Sequence, residues 1–347
     1  MNKGVYKMLF TQWHKKQILK AIAFVKSSQK KSGLQQQRFC KIENNEISVA
    51  DDYSALGHSF NLQSDEDEPE FAFPDCTPNT FDLEEALKAL NFDFVVKKEK
   101  SNLILTCEQS GAVHTIPCIK PNLLLSMEPD KSQCAIENKA FKLILGLLGE
   151  AAGTDKSDPN YCCVYVGKNI ACATNRKRAI QIWHAEPLQN QGFILAEYAK
   201  AIGKKKTGIS EIGFNEGSIT FYFAFGGWFK TQLFAHTLID YESICTSQGI
   251  VQAYDLSELT TKKVLDIIAK KDKRATLHFA EERLTVLKDG KVVFSTEIEA
   301  LQDSDINVSL KLEDLLLINS ALSNVAFCEN RLVATTSNIR CAIAYVV

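Results

Sequence analysis

The sequence predicts an α+β chain of three similar domains, each with two helices packed on antiparallel sheets. Apolar residues recur at i, i+3, i+4 and i+7 in six separate stretches, the signature of helices that bury one face. Between them the chain alternates apolar and polar residues with the two-residue period of half-buried strands, interrupted by turn signals. The helical stretches return every ~50–70 residues, each followed by hairpins, which is a structural repeat rather than a doubly wound parallel sheet. With 347 residues, 45% of them hydrophobic, the chain holds apolar material for more than one core.

Taken in order, the first helix spans residues 12–28, with Ile18, Leu19, Ile22 and Val25 as its stripe. The second covers 82–90, with Thr80 as N-cap and Leu83, Ala86, Leu87 and Leu90 inward. The third, 137–148, is built on Phe141, Ile144, Leu145 and Leu148, and the fourth, 195–202, is ended by Gly203. The fifth, 257–270, is capped by Ser257 and aligns Leu259, Val264, Leu265 and Ile268. The sixth, 312–322, aligns Leu315, Leu316, Ile318 and Leu322. Strand patterns occupy 42–47, 103–107, 212–219, 277–279 and 284–294, the last with Asp289-Gly290 as a hairpin turn. Composition breaks at 121–131 and 245–249 place the domains at 1–125, 131–244 and 250–347. The acidic run 64–70 reads as a solvated loop of the first domain, with an acidic partner-binding segment as the alternative.

The formal net charge is −2, so a nucleic-acid partner has to be met by a local basic surface. No apolar run approaches the roughly 20 residues that span a bilayer. Residues 1–10 lack the apolar core and small-residue cleavage site of a signal peptide, which leads to the expectation of a cytoplasmic protein with no membrane partner. The 11 cysteines are scattered from Cys40 to Cys341 without a CxxC pair and read as reduced, mostly buried thiols. The six histidines form no HxxxH or HExxH pair, and GxxxxGK[ST], GxGxxG and GxSxG are all missing. No catalytic residue, metal or cofactor is expected. Gly226-Gly227 reads as a strand turn. The aromatic residues Phe221, Tyr222, Phe223, Phe225, Trp228 and Phe229 read as sheet core, with base stacking as the alternative.

Ala171-Cys-Ala-Thr-Asn-Arg-Lys-Arg-Ala-Ile180 is similar to a "VATDGHRLA" strand and turn. Downstream, Gly192-Phe-Ile-Leu-Ala-Glu-Tyr-Ala-Lys-Ala-Ile202 and Thr231-Gln-Leu-Phe-Ala-His-Thr-Leu-Ile-Asp-Tyr-Glu-Ser-Ile244 follow the pattern in the same order and spacing. Residues 308–322 are similar to its final helix, and Ala344-Tyr-Val-Val347 to its "aYvvmPmrl" terminus. These segments resemble the bacterial sliding clamps, the beta subunits of DNA polymerase III. The resemblance implies the DNA clamp fold and a non-catalytic processivity factor for DNA replication. In that family two three-domain chains close head to tail into a homodimer ring around double-stranded DNA, without regard to sequence. DNA polymerase, the clamp loader and other replication or repair proteins are tethered through short peptides. A clamp-like scaffold or regulatory protein that no longer encircles DNA is the alternative, and a hydrolase is disfavoured by the lack of a nucleophile or metal constellation.

A pore needs cations on its helices that exchange freely with counterions. The candidates are Lys15, Lys16, Lys20, Lys26, Lys30 and Lys31; Lys139 and Lys142; Lys200, Lys204 and Lys205; and Lys262, Lys263 and Lys270. The same lysines also suit the solvated faces of amphipathic helices. For the peptide cleft the resemblance implies Thr174, Arg176, Lys177, Arg178 and Ala179 from the turn, Ile239 and Ile244 from the segment after it, and Val346 and Val347. Asn175 and Arg176 stand where the family has Asp-Gly, and Ile239 stands for a proline. The sequence given ends before the family's Met-Pro tail, so an altered or shallow cleft is expected. Residues 175–178 also suit a plain polar hairpin turn, and Ile239 and Ile244 also suit a domain-interface core.

Overall fold

The computed structural model describes residues 8–29, 35–60, 62, 72–155, 157–246, 252–261, 263–271, 275–302 and 304–345. The acidic run 64–70, Lys30, Lys31, Lys262, Val346 and Val347 lie outside the described residues. The chain divides into two compact units: Met1–Ile136 with Lys205–Gln232 (unit 1), and Glu137–Lys204 with Leu233–Val347 (unit 2). Residues 131–244 are shared between the units because their strands pair with partners far away in sequence. Every strand pairing among the described residues that carries these sheets is antiparallel.

In unit 1, helix α1 (Gln12–Lys26) buries Ile18, Ala21, Ile22 and Val25. Its N-terminus is closed by a capping box in which the Thr11 hydroxyl accepts from the His14 amide and His14 Nδ1 accepts from the Thr11 amide at 3.0 Å. Helix α2 (Thr80–Ala89) buries Leu83, Ala86 and Leu87. Its N-cap is Asn79 rather than Thr80: the Asn79 amide oxygen accepts from the Phe81 and Asp82 amides at 3.0 and 3.3 Å, while Thr80 is already helical. One sheet is ordered Leu9–Phe10, Phe94–Glu99, Asn102–Thr106, Val113–Pro117. The second runs Lys41–Glu43, Glu46–Ala50, Ser54–Ser59, Gly227–Gln232, Ser218–Phe223, Ile209–Asn215, Ser132–Ala135.

The runs read as alternating at 42–47 and 212–219 are hairpins. Asn44 and Asn45 turn the first with φ of 52° and 57°, the left-handed pair that a two-residue turn demands. Phe221 and Phe229 are fully buried and Phe223 and Trp228 nearly so, so the aromatic hairpin is sheet core. Tyr222 is only half-buried, and Phe225 stands exposed in the turn at Phe225-Gly226.

In unit 2, helix α3 (Phe141–Ala151) starts four residues later than the periodicity implies, because Asn138 accepts from the Ala140 amide and holds a turn there. Pro159–Cys162 (α4) is a short helix that the periodicity did not reveal, capped by Asp158. Helix α5 (Ala196–Gly203) packs closely against α3. Tyr241–Cys245 (α6) is a second unforeseen short helix, capped by Asp240. The predicted helix 257–270 is broken into α7 (Glu258–Thr261) and α8 (Val264–Lys271), since Lys263 takes φ 54° and interrupts the backbone ladder. The stretch 312–322 forms α9 (Leu312–Leu317) and then a tighter turn, Asn319–Ala321.

One sheet of unit 2 runs Gly192–Leu195, Cys163–Val166, Ile170–Thr174, Arg178–Trp183, Ile339–Ala344, Arg331–Thr335, Val325–Phe327, Ala253–Tyr254. The other runs Lys291–Glu297, Arg283–Lys288, Thr276–Ala280, Asn307–Lys311. Asp289 and Gly290 turn the hairpin where expected, with φ of 50° and 76°. All 11 cysteines are free thiols, and Cys172, Cys245 and Cys341 sit in the core, where burial pushes their thiols up.

The crossing of α3 and α5 rests on glycine: a Cβ on Gly203 would fall well inside contact distance of the Gly146 backbone. Helix propensity alone favours alanine at such a site by about 1 kcal/mol. Backbone cannot yield as a flexible side chain does, so Gly203→Ala is expected to destabilise by about 1–3 kcal/mol, read as a lower midpoint in urea unfolding. A stabilised variant would mean that the two helices separate freely.

Candidate peptide cleft and basic helix faces

The cleft of unit 2 starts from the turn between Ile170–Thr174 and Arg178–Trp183. The Thr174 hydroxyl donates to the Arg178 carbonyl at 2.6 Å and accepts from the Arg176 amide. Asn175 Oδ1 accepts from the Lys177 and Arg178 amides at 3.0 and 2.9 Å. These bonds satisfy the turn's own donors and hold Arg176 at φ 71°, a left-handed conformation that glycine adopts without strain. Arg176 and Lys177 are thereby presented at the exposed tip, and the Arg176 guanidinium lies over the Tyr161 ring at 4.4 Å.

Arg178 points the other way. Its Nε and Nη2 donate to the Ala151 and Glu150 carbonyls at 3.1 and 2.8 Å, at the C-terminal end of α3, where a cation suits the helix dipole. Its Nη1 pairs with Asp314 of α9, and both side chains are nearly buried, at 12% and 10% exposure. Arg178 therefore spends its charge inside the protein, tying the turn to two helices.

The floor is a strand pairing. Ala179 faces Ala342 across Arg178–Trp183 and Ile339–Ala344, and these small side chains with Ala344 leave a trough beside Ile239 and Ile244. The resulting cleft has a volume of about 560 Å³. Thr174, Arg176, Lys177, Arg178, Ala179, Ile239 and Ile244, seven residues named from the resemblance, all line it. Tyr161, Asn330, Arg331 and Tyr345 also line it and were not anticipated. Arg331 and Asn330 reach the cleft only because the last hairpin of the chain pairs beside the turn, which leaves no local trace in the sequence.

The lysines separate into two groups. Lys16 and Lys20, one helical turn apart, are exposed on α1, with the Lys20 amine over the exposed Phe225 ring at 4.8 Å, and Lys139, Lys204, Lys263 and Lys270 are exposed as well. The remaining described candidates are engaged with protein groups. Lys15 donates to the Leu90 carbonyl, Lys26 pairs with Glu84 and lies over the Phe81 ring, and Lys200 pairs with Glu150 at 3.4 Å. Lys142 is half-buried and has interactions within the protein. Lys205 is a correction to the sequence reading. It is 8% exposed, and its Nζ donates to the Phe24 carbonyl and Ser27 Oγ at 2.8 and 2.6 Å above the Phe24 ring. Between exposed Lys204 and Lys206 it is the residue that turns inward, so it is not presented to phosphate.

Among the described residues no three His, Cys, Asp or Glu side chains come together in a group that could hold a metal, and no helix is long and apolar enough to cross a membrane.

Two outcomes follow from this geometry. Arg178→Met strands Asp314 and two helix-end carbonyls, so unfolding should become easier by about 3–5 kcal/mol. Arg176→Met, at the exposed tip, should shift stability by no more than about 0.5 kcal/mol. Equal effects of the two in urea titrations would contradict the anchoring role. For Lys205, burial pushes the amine down from 10.5 to about 7. Between those values the unfolded state binds the additional proton, so this residue makes stability rise with pH from about 7 to about 10. Lys205→Met should remove that rise, measured as the unfolding midpoint across the same window.

No protein family and no curated protein matches the sequence. Solved structures do match it. The DNA polymerase III subunit beta from Borrelia burgdorferi in complex with a natural product is 16% identical, with 98% of this chain and 99% of that chain covered and a TM-score of 0.77. The Helicobacter pylori beta clamp bound to DNA ligase peptide is 12% identical over 98% and 100%, with a TM-score of 0.74. The DNA polymerase III subunit beta from Pseudomonas aeruginosa is 13% identical over 98% and 100%, with a TM-score of 0.72. At these identities the agreement is one of fold, and the chain has the fold of the bacterial DNA polymerase III beta clamps.

Proposed function

We propose that this chain is a sliding clamp, a non-catalytic cytoplasmic processivity factor. Two copies close head to tail around double-stranded DNA, and the cleft of unit 2 holds short peptides of DNA polymerase, the clamp loader and other replication or repair proteins. The observation that carries this reading is the convergence of Thr174, Arg176, Lys177, Arg178, Ala179, Ile239 and Ile244 on one cleft. An apolar trough with a few fixed polar groups suits capture of a short peptide. The domain division 1–125, 131–244 and 250–347 is part of the same reading. It is supported by three helix pairs, α1 with α2, α3 with α5 and α8 with α9, each in contact.

A head-to-tail contact uses two different patches of the protomer. Unit 1 has an open sheet edge at Val113–Pro117, where Val113 is 60% exposed. Unit 2 has one at Lys291–Glu297, where Val292 and Val293 are 65% and 52% exposed, beside Ile267 at 49%. Exposed apolar sheet edges invite pairing with another chain, and pairing these two between copies would cover both. Of the candidate lysines, Lys16, Lys20, Lys139, Lys204, Lys263 and Lys270 are exposed and open to phosphate in this reading. The engagement of Lys15, Lys26, Lys200 and Lys205 with protein groups favours the second reading, a clamp-like scaffold that does not encircle DNA.

Light scattering after size exclusion should give a dimer. Protein concentrated with circular duplex and then diluted should co-elute with the circle and be released once the circle is cut. A monomer that leaves circular and linear DNA equally would overturn the ring and leave the scaffold. Replacing Lys16 and Lys20 with alanine should lower the salt dependence of duplex binding by about 1.8 in log–log slope, at ~0.9 for each phosphate that is no longer neutralised.

A further inference from the structure

The cleft carries more charge than a peptide-binding trough requires. Its lining includes Arg176, Lys177, Arg178 and Arg331 and no aspartate or glutamate, in a chain whose formal net charge is −2. Arg178 is neutralised by Asp314. Arg176 has only a loose pair with Asp155 at 3.5 Å, with both side chains more than half exposed, and such a pair contributes little. Lys177 and Arg331 have no carboxylate partner among the described residues. Arg331 donates through Nη2 to the Thr246 carbonyl at 3.3 Å, while its Nε is buried without a hydrogen-bond partner among the described residues. Uncompensated cations thus stand on both sides of the trough formed by Ala179, Ala342 and Ile244.

We propose that this cleft selects peptides in which carboxylate side chains flank an apolar anchor, so that its partner is an acidic–apolar segment rather than a neutral one. The inference rests on the cleft being a peptide site. The apolar anchor fills the trough above the paired alanines, where short side chains leave room for a branched or aromatic group. Carboxylates on one side meet Arg176 and Lys177, and those on the other meet Arg331. The Tyr161 ring under Arg176 holds that cation, and the bonds of Asn175 to the Lys177 and Arg178 amides fix the backbone that presents Lys177, so less freedom is lost on binding. An apolar floor favours a peptide over nucleic-acid phosphate, which has no apolar group to place there.

The test uses the full-length protein and arrayed short peptides with Leu and Phe at fixed positions and Asp, Asn or Lys at the others. The Asp series should be retained in preference to the Asn and Lys series, with binding that weakens as salt rises. The paired substitution Arg176→Glu with Lys177→Glu, at the exposed tip, should weaken the Asp series by about tenfold or more and move the preference towards Lys. Arg331→Gln should weaken the Asp series from the other side. Equal retention of the Asp and Asn series by the unaltered protein would overturn acidic selection while keeping the peptide cleft. Retention of no series would remove the peptide cleft as well. Displacement of the Asp peptides by short duplex DNA would overturn the proposal by making the cleft a phosphate site.

Discussion

The pairing of Arg178–Trp183 with Ile339–Ala344 is the constraint on which unit 2 depends. It joins a strand from the middle of the chain to one near its end, so a long loop must close before any contact rewards the closure. Burial of Ile180, Ile182, Cys341 and Ile343 along the seam offsets that cost. The register decides the cleft. With Ala179 opposite Ala342 the small side chains share one face, and a slip of one residue would turn that face over and put the cleft lining into the core. Arg178, first in the strand, holds the register from outside the ladder through its bonds to α3 and Asp314.

Unit 1 is closed by a comparable seam, Ser54–Ser59 against Gly227–Gln232, stabilised by different chemistry. Gly57 sits opposite Trp228, whose indole covers it, and Gly227 packs against the Phe24 ring. An aromatic ring laid over a bare glycine in the neighbouring strand restores the packing that glycine forfeits. Side chains at Gly57 or Gly227 would meet these rings, so both positions are fixed by close approach rather than by backbone conformation. The same segment leads back to Lys205, whose amine closes on the end of α1.

What could be read from the sequence follows the range of each interaction. Helices α1, α2, α3 and α5 were legible because their apolar stripes are local, and Asp289-Gly290 because its residue types favour left-handed backbone. Glu281 and Glu282 make an equally tight turn with φ of 50° and 61°, yet glutamate carries no such preference, so nothing announced it. The break before α8 was hidden for a related reason: Lys263 adopts a positive φ inside an unbroken apolar pattern. In the cleft, Thr174 and residues 176–179 were visible through family resemblance, whereas Tyr161 and Arg331 join it only through tertiary pairing. The lysines were the least legible. A lysine on the solvated side of a helix and one tied to a carbonyl share the same letter, and only the fold separates Lys16 from Lys15.

That separation bears on how a clamp-like protein with only some of its candidate helix lysines exposed could hold DNA. In the proposed ring, closure confines the duplex by topology, so the contacts inside need not supply affinity. They need only offset the repulsion that a chain of net charge −2 presents to phosphate. Exposed lysines do this at short range, since at physiological salt their field fades over roughly 8 Å. Lysines already bonded to carboxylates or carbonyls would add rigidity and no mobile charge. A sparse set of free ammonium groups at helix surfaces is therefore compatible with sliding, because each contact is exchanged for the next at little cost. The cleft has the opposite requirement. A tethered partner would have to stay in place, and there Arg176, Lys177 and Arg331 stand around one apolar trough. In the proposed ring the distribution of charge would thus follow two tasks: dispersed where the ligand should move, and clustered where it should be retained.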